Sequence, residues 1–90
     1  MILIFGGTTE GRTAAETLDE AGQPFYYSTR GTLQEVTCRN MTRLTGNMDS
    51  EKIISFCREH DIRLIIDAAH PFAQQLHLNI FLAEKKQPSR

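Results

Sequence analysis

Five apolar residues, Met1 to Phe5, run straight into Gly6-Gly7, and this junction constrains the fold more than any other feature of the chain. A strand with one wet face alternates polar and apolar side chains. An unbroken apolar run of this length suits a strand buried on both faces. The residues after the glycines read as a helix start. Thr8 and Thr9 are capping types, and Arg12 through Ala21 holds good helix formers, with Ala14, Ala15, Leu18 and Ala21 at helical spacing. Gly22 stands where a helix ends, and Pro24 comes two residues later.

The alternation continues to the end of the chain. Pro24 to Thr29 is aromatic and hydroxyl-rich, predicting a second strand broken by Arg30-Gly31. Val36 to Cys38 and Met41 to Leu44 fit short strands or a turn of helix; a third strand is favoured over Thr42 to Thr45, ended by Gly46-Asn47. Asp49 or Ser50 caps a second helix with apolar positions Ile53, Ile54, Phe56 and Cys57. Ile62 to Ile66 reads as another doubly buried strand, and Ala73 to Lys86 as a helix with Leu76, Ile80, Leu82 and Ala83 on its apolar face. Strands alternating with helices imply an α/β domain with a mostly parallel sheet. Right-handed crossovers put helices on both faces, with strand order 3-2-1-4. The predicted fold is Rossmann-like and doubly wound.

Ninety residues suffice for one domain, 1–90. Ten Lys and Arg against 11 Asp and Glu leave a net charge of −1, no field for nucleic acid or an anionic membrane. No apolar run approaches the roughly 18–20 residues of a membrane span, and Met1 to Phe5 is shorter than a signal-peptide core. Cys38 and Cys57 lack metal-ligand spacing, so no metal is expected and both read as reduced thiols of a cytoplasmic protein.

Gly6-Gly7-Thr8-Thr9-Glu10-Gly11 lies where a dinucleotide-binding turn belongs, between the first strand and the first helix. A pyrophosphate needs backbone N–H donors with no side chain in the way, and a helix N-terminus supplies them. Gly6 and Gly11 match the first and third glycines of G-x-G-x-x-G, while Thr8 holds the middle place. Its Cβ would push a phosphate outward, although its hydroxyl could donate in return. A tight turn without ligand also accounts for this loop. The second strand ends Ser28-Thr29-Arg30, without the acid that would accept from a ribose 2′-hydroxyl. Two hydroxyls and a guanidinium suit a phosphate monoester, which favours NADP over NAD.

The fourth strand runs into Asp67-Ala68-Ala69-His70-Pro71-Phe72-Ala73. With order 3-2-1-4 this strand lies beside the first, at the switch point where ligands bind. Asp67, His70 and Phe72 are therefore expected to line the far side of the cleft. His70 can titrate near neutrality, or serve as a structural hydrogen bonder. His60 and His77 read as ordinary surface residues.

Ile4-Phe5-Gly6-Gly7-Thr8-Thr9-Glu10-Gly11-Arg12, Tyr27-Ser28-Thr29-Arg30-Gly31 and Ile65 to Ala73 together resemble the precorrin-6A reductase family of cobalamin biosynthesis. Gly46-Asn47-Met48-Asp49 is similar to that family's G-x-(Leu/Met)-Asp segment. The resemblance implies an NADPH-dependent reductase delivering hydride to a carbon–carbon double bond of a tetrapyrrole, precorrin-6A or its cobalt form. It implies that Gly6, Gly7, Thr8 and Glu10, with Thr9 and Gly11 of the same loop, border the pyrophosphate. Ser28, Thr29, Arg30 and Gly31 would receive the adenosine end. Asp67, His70 and Phe72 would face the nicotinamide or the macrocycle, with His70, solvent or the substrate itself as proton source. Members of the family are longer, so the resemblance also implies that 1–90 is the NADPH-binding N-terminal domain, with a second, substrate-closing C-terminal domain missing. The competing expectation is a stand-alone, non-catalytic nucleotide-binding or interaction domain.

Overall fold

The computed structural model describes residues 1–29, 38–46 and 48–86. Arg30, Gly31, Val36 and Asn47 of the sequence reading lie outside the described residues. Seven elements succeed one another along the chain: β1 (Ile2–Phe5), α1 (Thr9–Glu20), β2 (Phe25–Thr29), β3 (Met41–Thr45), α2 (Ser50–Glu59), β4 (Leu64–Asp67) and α3 (Gln74–Lys86). The strands form one parallel sheet in the order β3-β2-β1-β4. Register brings Phe5 opposite both Ser28 and Asp67, so the ends of three strands finish level.

Alternation along β1 divides the core in two. Leu3 and Phe5 pack with Ile53 and Cys57 of α2 and with Ile80 and Ala83 of α3. Ile4 points the other way and joins Ala15 of α1 with Phe25 and Tyr27 of β2. The central strand is thus apolar throughout because helices cover both of its faces.

Local chemistry sets the helix boundaries. Thr8 caps α1, its hydroxyl accepting from the Gly11 amide at 3.1 Å, and Asp49 caps α2 by accepting from the Lys52 amide at 2.8 Å. Past α1, Gly22 takes φ 72°, and the Gly22 and Gln23 amides return to Asp19 and Leu18, a Schellman ending. The Asp19 carboxylate then accepts from the main-chain amides of Arg39 and Asn40, fixing the approach to β3. The Asn40 amide bond is the chief cause that holds Asp19 below the ordinary carboxylate range.

Two expectations about burial are corrected. The fourth strand begins at Leu64 rather than Ile62, and it is not doubly buried: Leu64 is 51% exposed. The reason is position, since among the described residues β4 is the sheet's edge and pairs only with β1. Leu82, predicted for the buried face of α3, is exposed, while Ile80 and Ala83 are buried. Among the described residues no helix is long and apolar enough to cross a membrane.

Candidate functional site

The carboxyl ends of the strands open on a cleft of about 730 Å³. One wall is the end of β1 with Gly6 and Gly7, and its floor includes Ser28 and Thr29 of β2. Ala69, His70 and Phe72 after β4, and the first turn of α3, form the opposite wall. Gly46, Met48 and Asp49, between β3 and α2, close one end. Such a crevice at the switch point of an open parallel sheet is where this architecture places ligands.

The glycine turn is shaped first by the protein's own packing. A Cβ on Gly6 would lie 2.3 Å from Cζ of Tyr27, a side chain with no solvent exposure. The Tyr27 hydroxyl accepts from the Gly7 amide at 3.3 Å, and the Gly6 amide donates to the Ser28 carbonyl at 2.8 Å. Gly11 brings α1 against this turn: a Cβ there would come within 2.9 Å of Gly6 Cα. Gly7 differs, having φ 105° and open space where a side chain would be. The Thr8 hydroxyl donates to the Ala68 carbonyl while accepting from Gly11. A hydroxyl has one proton, and here Ala68 receives it, so the donor expected of Thr8 is engaged within the protein. Thr9 and Glu10 occupy the first two helical positions, whose amides have no acceptor within a helix. Those two donors sit at the positive end of the α1 dipole.

The loop after β4 is ordered by polar contacts. Asp67 accepts from the Ala69 amide through Oδ1 at 3.2 Å and meets His77 Nδ1 through Oδ2 at 2.5 Å. The His70 carbonyl accepts from the Ala73 amide at 2.9 Å, closing a turn with Pro71 at its second position, a place that suits the fixed φ of proline. The Phe72 amide donates to His70 Nδ1 at 3.2 Å, so that nitrogen carries the lone pair and Nε2 carries the ring proton. The two rings lie 5.0 Å apart, tilted by 31°. α3 then starts from Ala73, which has no capping side chain, and the residues of its first turn border the cleft.

Comparison with known proteins decides the family. The family model described as precorrin-6x reductase CbiJ/CobK matches residues 1–87. The chain belongs to the precorrin-6x reductase CbiJ/CobK family. It is 30% identical over 81 residues to a cobalt-precorrin-6A reductase of Priestia megaterium, covering 88% of this chain and 32% of that protein. It is 30% identical over 83 residues to a precorrin-6A reductase of Rhodobacter capsulatus, covering 91% and 33%. A precorrin-6A reductase of Sinorhizobium sp is 35% identical over 83 residues, with 87% and 31% covered. A solved structure of a CobK precorrin-6A reductase superposes with a TM-score of 0.85 at 26% identity, covering 98% of this chain and 36% of that one. The chain thus spans about a third of the length of these curated relatives.

In this CbiJ/CobK chain the sequence-predicted residues do not all reach the cleft. Gly6, Gly7, Ser28, Thr29, His70 and Phe72 line it. Thr8, Thr9, Glu10 and Gly11 stand behind the glycine turn as the cap and first turn of α1. Asp67 is at the loop's base, bonded to Ala69 and His77. His77, bonded to Asp67 and to the His70 carbonyl, corrects the reading of it as an ordinary surface residue, whereas His60 is exposed as expected, its Nδ1 pairing with the Tyr26 hydroxyl at 2.9 Å. Sequence reasoning also missed Gln75 and Asn79 on the cleft wall, where Gln75 Nε2 donates to Asn79 Oδ1 and Asn79 Nδ2 donates to the Met48 carbonyl. Their spacing of four on one helix was the available signal.

Proposed function

We propose that this chain is the nucleotide-holding part of an NADPH-dependent precorrin-6A reductase. Such an enzyme reduces a carbon–carbon double bond of precorrin-6A or cobalt-precorrin-6A in the cytoplasm, within cobalamin biosynthesis. The observation that carries the reading is a convergence in one cleft: the glycine turn, the hydroxyl-bearing end of β2 and the His70–Phe72 loop meet in a chain of this family.

The residues present fit a dinucleotide. A side chain at Gly7 would meet nothing within 4 Å, so backbone lies open to a ligand there. Behind that turn stands the α1 N-terminus, set by the Thr8 cap, and the positive end of its dipole favours a pyrophosphate. Asp49 is the one charged side chain on the cleft wall among the described residues, and its carboxylate is occupied as the α2 cap. Anion recognition by the described residues therefore falls to neutral donors. Ser28 and Thr29 receive the adenosine end, with Arg30 and Gly31 assigned to the 2′-phosphate from their place in the sequence. NADPH supplies the hydride when bound. His70, through Nε2–H, is a hydrogen-bond donor toward the tetrapyrrole while solvent or the substrate itself supplies the proton, and Phe72 presents an apolar face to it.

Calorimetric titration of the 90-residue chain with NADPH and with NADH tests the cofactor. NADPH binds more tightly, and Arg30→Ala weakens it by about tenfold or more, the order of a lost hydrogen bond to a charged group. NADH affinity stays unchanged in that variant. Equal affinity for the two nucleotides would falsify the assignment to NADPH.

A further inference from the structure

His77 holds the loop after β4 from below, through contacts that the cleft itself does not use. It lies in the first helical turns of α3, with Nδ1 2.5 Å from Asp67 Oδ2 and Nε2 2.9 Å from the His70 carbonyl. A carboxylate and a carbonyl only accept. A neutral imidazole has one N–H and can serve one of them, whereas an imidazolium serves both. The same two acceptors also hold the loop's own amides, Ala69 on Asp67 and Ala73 on His70. Four hydrogen bonds thus converge on residues 67–73, and the loop they fix carries His70 and Phe72 to the cleft.

We propose that His77 is a positioning residue: its imidazolium, donating at once to Asp67 and to the His70 carbonyl, fixes the 67–73 loop and so the placement of His70 and Phe72 at the cleft. The functional weight of this brace rests on the reading of the cleft as the cofactor and substrate site. Electrostatics agree with the geometry. The Asp67 hydrogen bond, followed by that of the His70 carbonyl, raises the His77 pKa above its ordinary value against a smaller desolvation effect. Among the described residues Asp67 supplies the charge that acts on His77. The other titratable group of the loop, the His70 ring, is turned to the Phe72 amide through Nδ1. Because the folded value is raised, the brace is complete below the unfolded value of about 6.5 and is lost as pH rises through the folded one.

NMR of the isotope-labelled 90-residue chain, without ligand, between about pH 5 and 9 tests the brace around the ordinary histidine range. Both His77 ring nitrogens carry protons at the acidic end, and the amides of Ala69, Phe72 and Ala73 move with the His77 midpoint. Asp67→Asn lowers that midpoint. His77→Ala abolishes the coupled movement and speeds exchange of the Ala73 amide roughly two- to fivefold, as for a partly exposed ion pair. Loop amides that stay still while His77 titrates, or a His77 ring with a single proton throughout, overturn the proposal. A chain that shows the coupled titration but binds no NADPH at any pH leaves the brace standing and refutes the cofactor reading instead.

Discussion

Tyr27 explains why the turn after β1 needs a glycine at position 6 before any ligand is considered. Its ring is fully buried between the sheet and α1, and its hydroxyl lies where a Gly6 side chain would be. Gly6→Ala must therefore displace either a core aromatic or the turn, at about 1–3 kcal/mol for an overpacked site. For a domain of this size that is a fall in melting temperature of roughly 4–8 °C per kcal/mol. Thermal unfolding followed by circular dichroism checks it, and an unchanged midpoint would show that Tyr27 yields freely. Replacing Tyr27 with Leu makes room, so Gly6→Ala in that background costs much less than in the wild type, a coupling that a double-mutant cycle measures. From the sequence, Gly6 and Gly11 were legible as a tight turn. Tyr27 was legible only as a strand residue, because nothing local says which side chain lies under a turn 20 residues away.

The helices end by two versions of one device, and only one could be read in advance. Gly22 announces the α1 ending. The end of α2 has the same bond, the Ile62 amide returning to the Cys57 carbonyl at 2.9 Å, but the left-handed position is taken by Asp61 at φ 53°. Asp tolerates that conformation less well than glycine. Asp61→Gly is therefore expected to stabilise the chain by up to about 1 kcal/mol, since a β-carbon costs roughly 1–2 kcal/mol in that conformation and glycine's greater freedom in the unfolded chain offsets part of it. The Asp61 side chain makes a 3.5 Å contact with Arg63 in which both groups are largely exposed, so its loss subtracts little. Chemical denaturation would register the gain as a higher midpoint at unchanged slope; a lower midpoint would mean that this ion pair outweighs the backbone strain. Strand order was readable because an apolar run in the middle of the sheet has one stable placement. Burial along β4 was not, since an apolar composition looks the same in a central strand and at an edge.

At the scale of the chain, the cleft has two walls and a floor but an open rim. Its β1, β2 and α3 walls are in place, yet Phe72 stands at the rim with 84% of its surface exposed. A small-molecule site ordinarily buries about 70–90% of its ligand, more than a cleft with so exposed a rim would bury of a macrocycle. The curated relatives are about three times as long as this chain, so they carry the additional surface such burial requires. Binding and turnover should then separate. The dinucleotide contacts proposed above involve the α1 N-terminus and the β2 end, all within these 90 residues, and predict that nucleotide affinity is retained. Hydride delivery needs the nicotinamide and the acceptor carbon held about 3–3.5 Å apart, and poor placement by an ångström costs on the order of 10²-fold. The 90-residue chain is thus expected to bind NADPH while consuming it with precorrin-6A at least about 100-fold more slowly than a full-length relative under the same conditions. Loss of NADPH absorbance with both proteins side by side measures this. Rates within a few-fold of each other would mean that the open cleft positions both reactants unaided, and that the further length of the relatives has no part in the chemistry.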